Sequence, residues 1–294
     1  MPASAKPSRG GAGRELRARA FAKINLSLRV LGTRTDGYHE LRTIFQSLAL
    51  HDTLRFRAAS PERFDISSDD PACPTDATNL VWRAADAVWK AAGRSGAPRG
   101  VSVRIIKRIP MQAGLGGGSS DAAAAMRALA VWWRVDVPHD RLRAMAAALG
   151  ADVPYFFDGG TALGVERGDL LYPLIDAPAA WATVVVPPFG VSTADAYAWF
   201  DGDRREGERP ASDQNDLEAP VTARHPDIGR IARALARAGA FHAAMSGSGS
   251  AVFGLFRSRS QASTTARALA RRGRSIVVAR TLDRAGYARL ARPT

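Results

Sequence analysis

The stretch Pro110-Met-Gln-Ala-Gly-Leu-Gly-Gly-Gly-Ser-Ser120 joins a predicted strand, 101–107, to an alanine-rich segment with helical character. Its four glycines and two serines can present consecutive backbone N–H groups to an anion at a helix N-terminus, where the helix dipole adds attraction. We expect Ser119 or Ser120 to cap this helix and Asp121 to favour its dipole. The order strand, glycine-rich loop, helix therefore predicts a phosphate-binding loop, against the alternative of a flexible loop with an N-cap.

Two common nucleotide-binding motifs do not describe this loop. The chain contains no Gly-Lys dipeptide, which the Walker A motif requires, and Ser119 stands where G-x-G-x-x-G needs its third glycine. Just before the loop, Lys107 and Arg108 could help to hold phosphates, although a solvated strand end is the simpler interpretation.

Upstream of the loop, the sequence AFAKINLSLRV at 20–30 alternates between apolar and polar residues, as a half-buried strand does. Lys23, Asn25 and Ser27 share the polar face. Only four of the 41 basic residues are lysines, which suggests that a lysine at this position has a specific role. Its compact charge could stabilise a transferring phosphoryl group, whereas the alternative is a solvated strand face.

The remaining pattern alternates strands and helices without an internal repeat. Predicted strands cover 43–49, 52–58, 161–166 and 181–186, and predicted helices cover 79–92, 138–149 and 226–239. A polar loop is expected at 201–216, and the last stretch reads strand, glycine loop, strand (243–256), helix (259–272), strand (275–281), helix (283–291). Such alternation favours an α+β (α/β sandwich) fold with a domain change between 160 and 180.

Length and composition set the broad class. A chain of 294 residues with 46% hydrophobic and 23% charged residues fits two globular domains. The single cysteine, Cys73, cannot form an intramolecular disulfide, which fits a reducing, cytoplasmic location. No run of about 18 apolar residues and no apolar signal segment is visible, so we expect no membrane partner. Residues 1–17 read as a disordered basic tail.

The net charge of +13 raises nucleic acid as a partner, and its location argues against that class. Residues 1–19 carry +4 and residues 257–294 carry +9, so the two ends hold the whole excess. Residues 20–256 balance 26 basic against 26 acidic residues. We therefore expect no nucleic acid partner, and keep a basic nucleic-acid-binding protein only as the competing class.

The loop resembles the PxxxGLGxSS phosphate loop of the GHMP kinases, the superfamily named for galactokinase, homoserine kinase, mevalonate kinase and phosphomevalonate kinase. Four further stretches carry the resemblance in order along the chain: AKINL at 22–26, GYHEL at 37–41, LGADVP at 149–154 and MSGSG at 245–249. Gln112 and Ala113 depart from it, because the family often has glycine at those positions.

The resemblance implies a fold and a domain division. It implies a two-domain GHMP kinase fold, with an N-terminal α/β domain at 18–168 and a C-terminal ferredoxin-like domain at 169–294. The active site would lie in the cleft between them. ATP with Mg²⁺ would be the phosphoryl donor, and the histidines and the cysteine show no metal-ligand spacing of their own. A monomer or a homodimer is expected.

The resemblance also implies roles for individual residues. Asp152 would act as general base on the accepting hydroxyl and Lys23 as its partner; by pattern alone Asp152 could equally cap the turn that follows it. Asn79 would contact ATP, with the N-cap of its own helix as the alternative. The residues implied in holding ATP in the loop are Pro110, Met111, Gln112, Ala113, Gly114, Leu115, Gly116, Gly117, Gly118, Ser119 and Ser120. The C-terminal loop near the phosphates comprises Ser246, Gly247, Ser248 and Gly249.

Within the superfamily, the GYHEL string resembles that of members whose small-molecule substrate is a cytidine-diphosphate-linked methylerythritol. These kinases phosphorylate its 2-hydroxyl in the non-mevalonate isoprenoid pathway. The likeness implies that Tyr38 and Tyr197 sandwich the cytosine and that His39 bonds its edge. Thr193 would line the same pocket, and Asn25 would also contact the substrate. A homoserine or mevalonate-type kinase remains the alternative within the superfamily.

Overall fold

The computed structural model describes residues 15–203 and 214–294. Its N-terminal part contains β1 (Glu15–Thr33), β2 (His39–Ala58), β3 (Phe64–Ser68), α1 (Leu80–Ala91), β4 (Val101–Ile106), α2 (Gly117–Trp133), α3 (His139–Leu149), α4 (Tyr155–Asp158), β5 (Thr161–Glu166) and β6 (Leu170–Pro173). β2 pairs antiparallel with β1, β4 and β5, β3 adds to β4 in parallel, and β6 adds to β5. The N-terminal strands thus form one mixed sheet.

β1 is longer than the predicted strand at 20–30. It begins at Glu15, so residues 15–17 do not belong to a disordered tail as predicted; the rest of that predicted tail lies outside the described residues. Leu16 pairs with Phe56 of β2, and the Glu15 carboxylate accepts hydrogen bonds from Arg57. Cross-strand pairing and this ion pair extend the strand beyond its alternating centre.

β2 is one strand where the sequence predicts two, at 43–49 and 52–58. Phe21 of β1 pairs with His51, but Lys23 pairs with Ser47, so residues 48–50 of β2 form an irregularity in the ladder. A bulge bends a strand without ending it, which explains why the alternation of apolar and polar residues is interrupted there although the strand continues. On its other edge, β2 pairs with the C-terminal part at this same point, Leu48 opposite Thr281.

α2 packs against the sheet and is buried along most of its length. Ala122, Ala123, Ala124 and Ala125 have no exposed surface and lie in the same hydrophobic core as α1 and the sheet. Small side chains all round a helix allow close packing on both of its sides. The start of α2 is thereby held firmly beside β1.

The C-terminal part contains β7 (Trp181–Val186), α5 (Thr193–Asp203), α6 (Glu218–Arg224), α7 (Pro226–Arg237), β8 (His242–Met245), β9 (Val252–Phe256), α8 (Arg259–Leu269), β10 (Ser275–Leu282) and α9 (Arg284–Leu290). Its strands lie in the antiparallel order β10-β7-β9-β8. With α7 and α8 as the two connecting helices, this is the β-α-β-β-α-β arrangement of a ferredoxin-like domain, and the predicted fold class is confirmed.

Two further sequence predictions concern the polar loop at 201–216 and the domain division at residue 168. Residues 201–203 of the predicted polar loop continue α5, and residues 204–213 lie outside the described residues. β6 lies on the C-terminal side of the predicted division at residue 168 and pairs with β5. The division itself stays a prediction.

Candidate active site

Two glycine-rich loops meet backbone to backbone between the two parts of the chain. A Cβ atom on Gly114 would lie 2.1 Å from the carbonyl oxygen of Ser246, and Gly114 has φ +73°. The Ser246 hydroxyl donates to the Gly114 carbonyl at 2.9 Å, and the Ala251 N–H donates to the Ala113 carbonyl at 3.1 Å. Only glycine fits at position 114, because both the close approach and the left-handed backbone exclude a side chain.

The phosphate loop leads into α2 in a way that the sequence did not predict. The helix begins at Gly117, its N-cap is Gly116 in the left-handed conformation, and no side chain caps it. Ser119 and Ser120 are therefore not the N-cap. Since the first N–H groups of a helix have no partner within the helix, an uncapped start leaves them available for an anion.

Ser120 does not line the cleft. It is buried, and its N–H donates to the Gly116 carbonyl at 2.8 Å as part of the helix, so that this N–H cannot also serve a phosphate. It lies one turn into α2, and its predicted contact with ATP stays a prediction.

Lys23 and Asp152 come together from β1 and the turn after α3. The Lys23 Nζ lies 3.3 Å from Oδ2 of Asp152 and donates to Oδ1 of Asn25 at 2.8 Å. The Lys23 side chain is only 4% exposed, whereas that of Asp152 is 34% exposed. The buried ammonium is therefore fixed between two oxygen atoms, and the carboxylate can reach a ligand.

The polar face of β1 is tied to both loops. The Lys23 N–H donates to the Leu115 carbonyl at 3.0 Å, and the Asn25 N–H donates to the Ser246 hydroxyl at 3.3 Å. The Asn25 amide donates to the Thr43 hydroxyl of β2 at 2.7 Å. These hydrogen bonds set the position of Lys23 relative to the phosphate loop, and Ser246 acts here as a buried link.

The loops and the Lys23–Asp152 pair open into one cleft of about 1160 Å³. Of the predicted site residues, the cleft is lined by Lys23, Asn25, Tyr38, His39, Asn79, Pro110, Met111, Gln112, Ala113, Gly114, Leu115, Gly116, Gly117, Gly118, Ser119, Asp152, Thr193, Tyr197, Gly247, Ser248 and Gly249. The cleft is large enough for a nucleotide with a second small molecule, because drug-sized ligands occupy about 300–1,000 Å³.

Aromatic groups gather at one end of the cleft. The ring of His39 stacks on Tyr197 with centroids 4.5 Å apart, and its Nε2 lies 3.0 Å from a carboxylate oxygen of Asp201. Burial raises the pKa of the Tyr197 hydroxyl, and the nearby charge of Asp152 adds to this. Tyr38 is exposed, with the Arg167 guanidinium 5.2 Å from its ring. One face of Tyr197 is thus covered by His39, and the sandwich of a base between Tyr38 and Tyr197 stays a prediction.

Thr193 and Asn79 hold their neighbours in place. The Thr193 and Ser248 hydroxyls lie 3.1 Å apart, which joins α5 to the C-terminal glycine loop. Asn79 is the N-cap of α1: its side-chain oxygen accepts from the Val81 N–H at 2.8 Å, and its amide donates to the Pro74 carbonyl. The N-cap alternative is therefore confirmed, and a contact with ATP stays a prediction.

A buried charge cluster behind the phosphate loop was missed by the sequence reasoning. The Lys107 Nζ donates to Asp52 at 2.5 Å and to Asp121 at 2.8 Å. All three side chains are at most 6% exposed, so the expectation of a solvated strand end for Lys107 is wrong. Asp52 also accepts from the N–H groups of Arg108 and Ile109 and so fixes the backbone that enters the loop.

The cluster has one carboxylate more than it has ammonium groups. Burial raises the pKa of Asp121 to about 7, and the negative charge of Asp52 acts in the same direction although Lys107 opposes it. One oxygen of Asp121 is buried without a hydrogen-bond partner among the described residues. The scarcity of lysine was the only feature of the sequence that pointed to Lys107 and so to this cluster.

Other kinds of site are not visible in the described ranges 15–203 and 214–294. They contain no group of three or more His, Cys, Asp or Glu side chains that could hold a metal ion. None of their helices is both long and apolar enough to cross a membrane.

Sequence comparisons relate the chain to proteins of known family. The family models described as GHMP kinases N terminal domain and GHMP kinases C terminal match residues 79–160 and 197–275. The chain is 45% identical over 268 residues to a 4-diphosphocytidyl-2-C-methyl-D-erythritol kinase of Solibacter usitatus, covering 84% of this chain and 83% of that protein. It is 40% identical to the kinase of the same name from Pelotomaculum thermopropionicum, covering 90% of this chain and 98% of that protein.

Solved structures show the same relationship. A crystal structure of 4-(cytidine 5'-diphospho)-2C-methyl-D-erythritol kinase superposes with a TM-score of 0.76 at 34% identity, covering 90% of this chain and 98% of that chain. A homoserine kinase from Cytophaga hutchinsonii superposes with a TM-score of 0.70 at 17% identity, covering 98% and 99% of the two chains, and shares the fold alone. The chain therefore belongs to the GHMP kinase superfamily, and within it to the family of the 4-diphosphocytidyl-2-C-methyl-D-erythritol kinases.

Proposed function

We propose that this chain transfers the γ-phosphoryl group of ATP to the 2-hydroxyl of 4-diphosphocytidyl-2-C-methyl-D-erythritol, with Asp152 as general base and Lys23 as its partner. The observation that carries the proposal is the Lys23–Asp152 pair, 3.3 Å apart, at the junction of two glycine-rich loops in one cleft. The relatives' shared name supplies the substrate.

The chemistry follows from the positions of these groups. Asp152 accepts the proton of the 2-hydroxyl, the hydroxyl oxygen bonds to the γ-phosphorus, and the bond to the β-phosphate oxygen breaks to release ADP. The N–H groups at the uncapped start of α2 face the phosphates. Lys23 is held by Asn25 and adds positive charge beside the transferring group.

The far end of the cleft supports a nucleobase-bearing acceptor. His39, Tyr197 and Tyr38 offer ring faces and hydrogen-bonding edges within the same cleft, as base recognition requires. A homoserine or mevalonate acceptor has no ring to stack there. The homoserine kinase and mevalonate kinase structures share the fold with this chain at 17% and 13% identity, which favours neither acceptor.

Magnesium would enter with ATP, because Mg²⁺ is usually held by substrate phosphates, waters and one or two protein oxygens. Ser119 lines the cleft, and its hydroxyl could supply one such protein oxygen. The ion would neutralise charge on the phosphates. We also expect a monomer or homodimer that acts in the cytoplasm without nucleic acid.

The test is a substrate comparison. The protein is incubated with Mg²⁺-ATP and either the diphosphocytidyl substrate, homoserine or mevalonate, and ADP release is followed together with ³¹P NMR of the product. We expect turnover with the diphosphocytidyl compound alone and a new phosphomonoester on its 2-oxygen. Turnover of homoserine or mevalonate alone would contradict the diphosphocytidyl compound as the acceptor substrate.

A further inference from the structure

A second cavity lies on the C-terminal part, away from the active-site cleft. It has a volume of about 280 Å³ and is formed by α7, the end of α8 and the turn that leads into β10. Its charged lining consists of Arg230, Arg233, Arg237, Arg271, Arg274 and Asp227. None of these residues lines the active-site cleft. Part of the positive charge at the end of the sequence is thus gathered around one cavity.

One pair within the lining is already neutral. The Arg274 guanidinium makes two hydrogen bonds to the Asp227 carboxylate, at 2.8 and 2.9 Å, and its side chain is only 8% exposed. Burial raises the pKa of Asp227, but the hydrogen bonds and charges of Arg274 and Arg230 outweigh it and bring the pKa below its usual value. The carboxylate therefore stays ionised, and five arginines against one aspartate leave a net charge of +4.

Three of the four remaining arginines of the lining lie along α7. Arg230, Arg233 and Arg237 are spaced three and four residues apart, which places them on one face of the helix. Arg230 also lies 3.3 Å from Asp227, whereas Arg233 and Arg237 form no ion pair within residues 15–203 and 214–294. Like charges at this spacing repel one another, so a bound anion would relieve a repulsion that the fold otherwise retains.

We propose that this cavity binds a small polyphosphate anion, either inorganic diphosphate or the diphosphate end of a metabolite. Guanidinium groups bind phosphate oxygens in pairs, and arginines of α7 and of the turn after α8 line this one cavity. The lining charge of +4 matches an anion with several negative charges. The volume lies just below the range of about 300–1,000 Å³ for drug-sized ligands, which favours a small occupant.

The test compares charge-reversed variants by calorimetry. Inorganic diphosphate is titrated without Mg²⁺ into the wild-type protein and into the Arg233→Glu/Arg237→Glu double variant. Arg289→Glu serves as the matched control, because Arg289 is also an exposed arginine on a C-terminal helix but lies outside the cavity. Binding at the phosphate loop should remain in all three proteins. A second binding component should be present in wild type and control, and at least tenfold weaker in the double variant.

Two further measurements identify the source and exclude a general effect of charge. A titration with uridine diphosphate tests whether a diphosphate attached to a larger group also binds at this cavity. Such binding would appear as a second component in wild type that is weakened in the double variant. Turnover in the absence of added diphosphate should be the same in all three proteins, because the cavity does not touch the cleft. The proposal is overturned if the second component is absent from wild type, if it persists in the double variant, or if Arg289→Glu loses it equally. Binding of polyglutamate without binding of diphosphate would overturn it as well, in favour of an acidic protein partner.

Discussion

Asp121→Asn should change the pH dependence of stability, because this aspartate is the excess carboxylate of the buried cluster with Lys107 and Asp52. The substitution keeps the shape of the side chain and an oxygen that can accept from Lys107, and it removes one negative charge. Lys107 then faces Asp52 alone, so the buried charges balance. Loss of a buried uncompensated charge should stabilise the fold wherever Asp121 would be ionised.

The magnitude follows from the pKa. In the folded chain the pKa of Asp121 is raised from 3.8 to about 7, so between these values the folded state binds more protons than the unfolded state. The free energy of unfolding contributed by this group is therefore full below the unfolded pKa and is lost as the pH rises through about 7. Each pKa unit corresponds to about 1.4 kcal/mol, so about 3 kcal/mol is lost between pH 5 and pH 8.

The assay is urea unfolding followed by tryptophan fluorescence and circular dichroism at several values between pH 5 and pH 8. Titrating groups outside the cluster act alike in both proteins, so the difference between Asp121→Asn and wild type reports this carboxylate together with its coupling to Lys107 and Asp52. That difference should move by about 3 kcal/mol in favour of the variant as the pH rises. Asp140→Asn, on the exposed side of α3, should show no such slope. A difference that stays constant with pH would show that burial in the cluster does not raise the pKa of Asp121.

Three further predictions concern the cleft. Gly114→Ala should lower the free energy of unfolding by more than about 2 kcal/mol, because its Cβ would lie too close to the Ser246 carbonyl. Gly202→Ala, with open space around it, should change the free energy of unfolding by less than about 1 kcal/mol, and equal effects of the two substitutions in urea unfolding would contradict the close contact at Gly114. Lys23→Met should reduce kcat by about 10²–10³ with little change in the KM for ATP, and steady-state kinetics with near-normal kcat would remove Lys23 from the mechanism. His39→Ala should raise the KM for the diphosphocytidyl substrate about tenfold and leave the KM for ATP unchanged, whereas His51→Ala should alter neither; an equal rise for ATP would show that His39 does not serve the acceptor.

Local patterns in the sequence predicted the elements that carry the chemistry. The alternation at 20–30 placed Lys23 and Asn25 on one face of β1, and the structure joins these side chains at 2.8 Å. The glycine loop was recognised because strand, glycines and helix follow one another along the chain. The N-cap of α2 was not predicted correctly, because it is Gly116 in the left-handed conformation and not a serine side chain.

Features that depend on distant parts of the chain could not be predicted. Asp52 lies in β2, Lys107 directly follows β4 and Asp121 lies in α2, and only the packing of α2 on the sheet brings them together. The contact between Gly114 and Ser246 likewise joins residues 132 positions apart. The continuous path of β2 was missed because its irregularity at 48–50 interrupts the alternation that identifies a strand.

In the proposed mechanism, Asp152 removes the proton from the accepting hydroxyl while Lys23 places a positive charge beside it. The most direct measurement is kcat of Asp152→Asn with saturating Mg²⁺-ATP and the diphosphocytidyl substrate, next to Asp140→Asn as the matched control. We expect a loss of about 10²–10⁴ in kcat for Asp152→Asn, ATP binding near that of wild type, and normal turnover for the control. A kcat of Asp152→Asn within about tenfold of wild type would show that Asp152 is not the general base, because a general base contributes more than that.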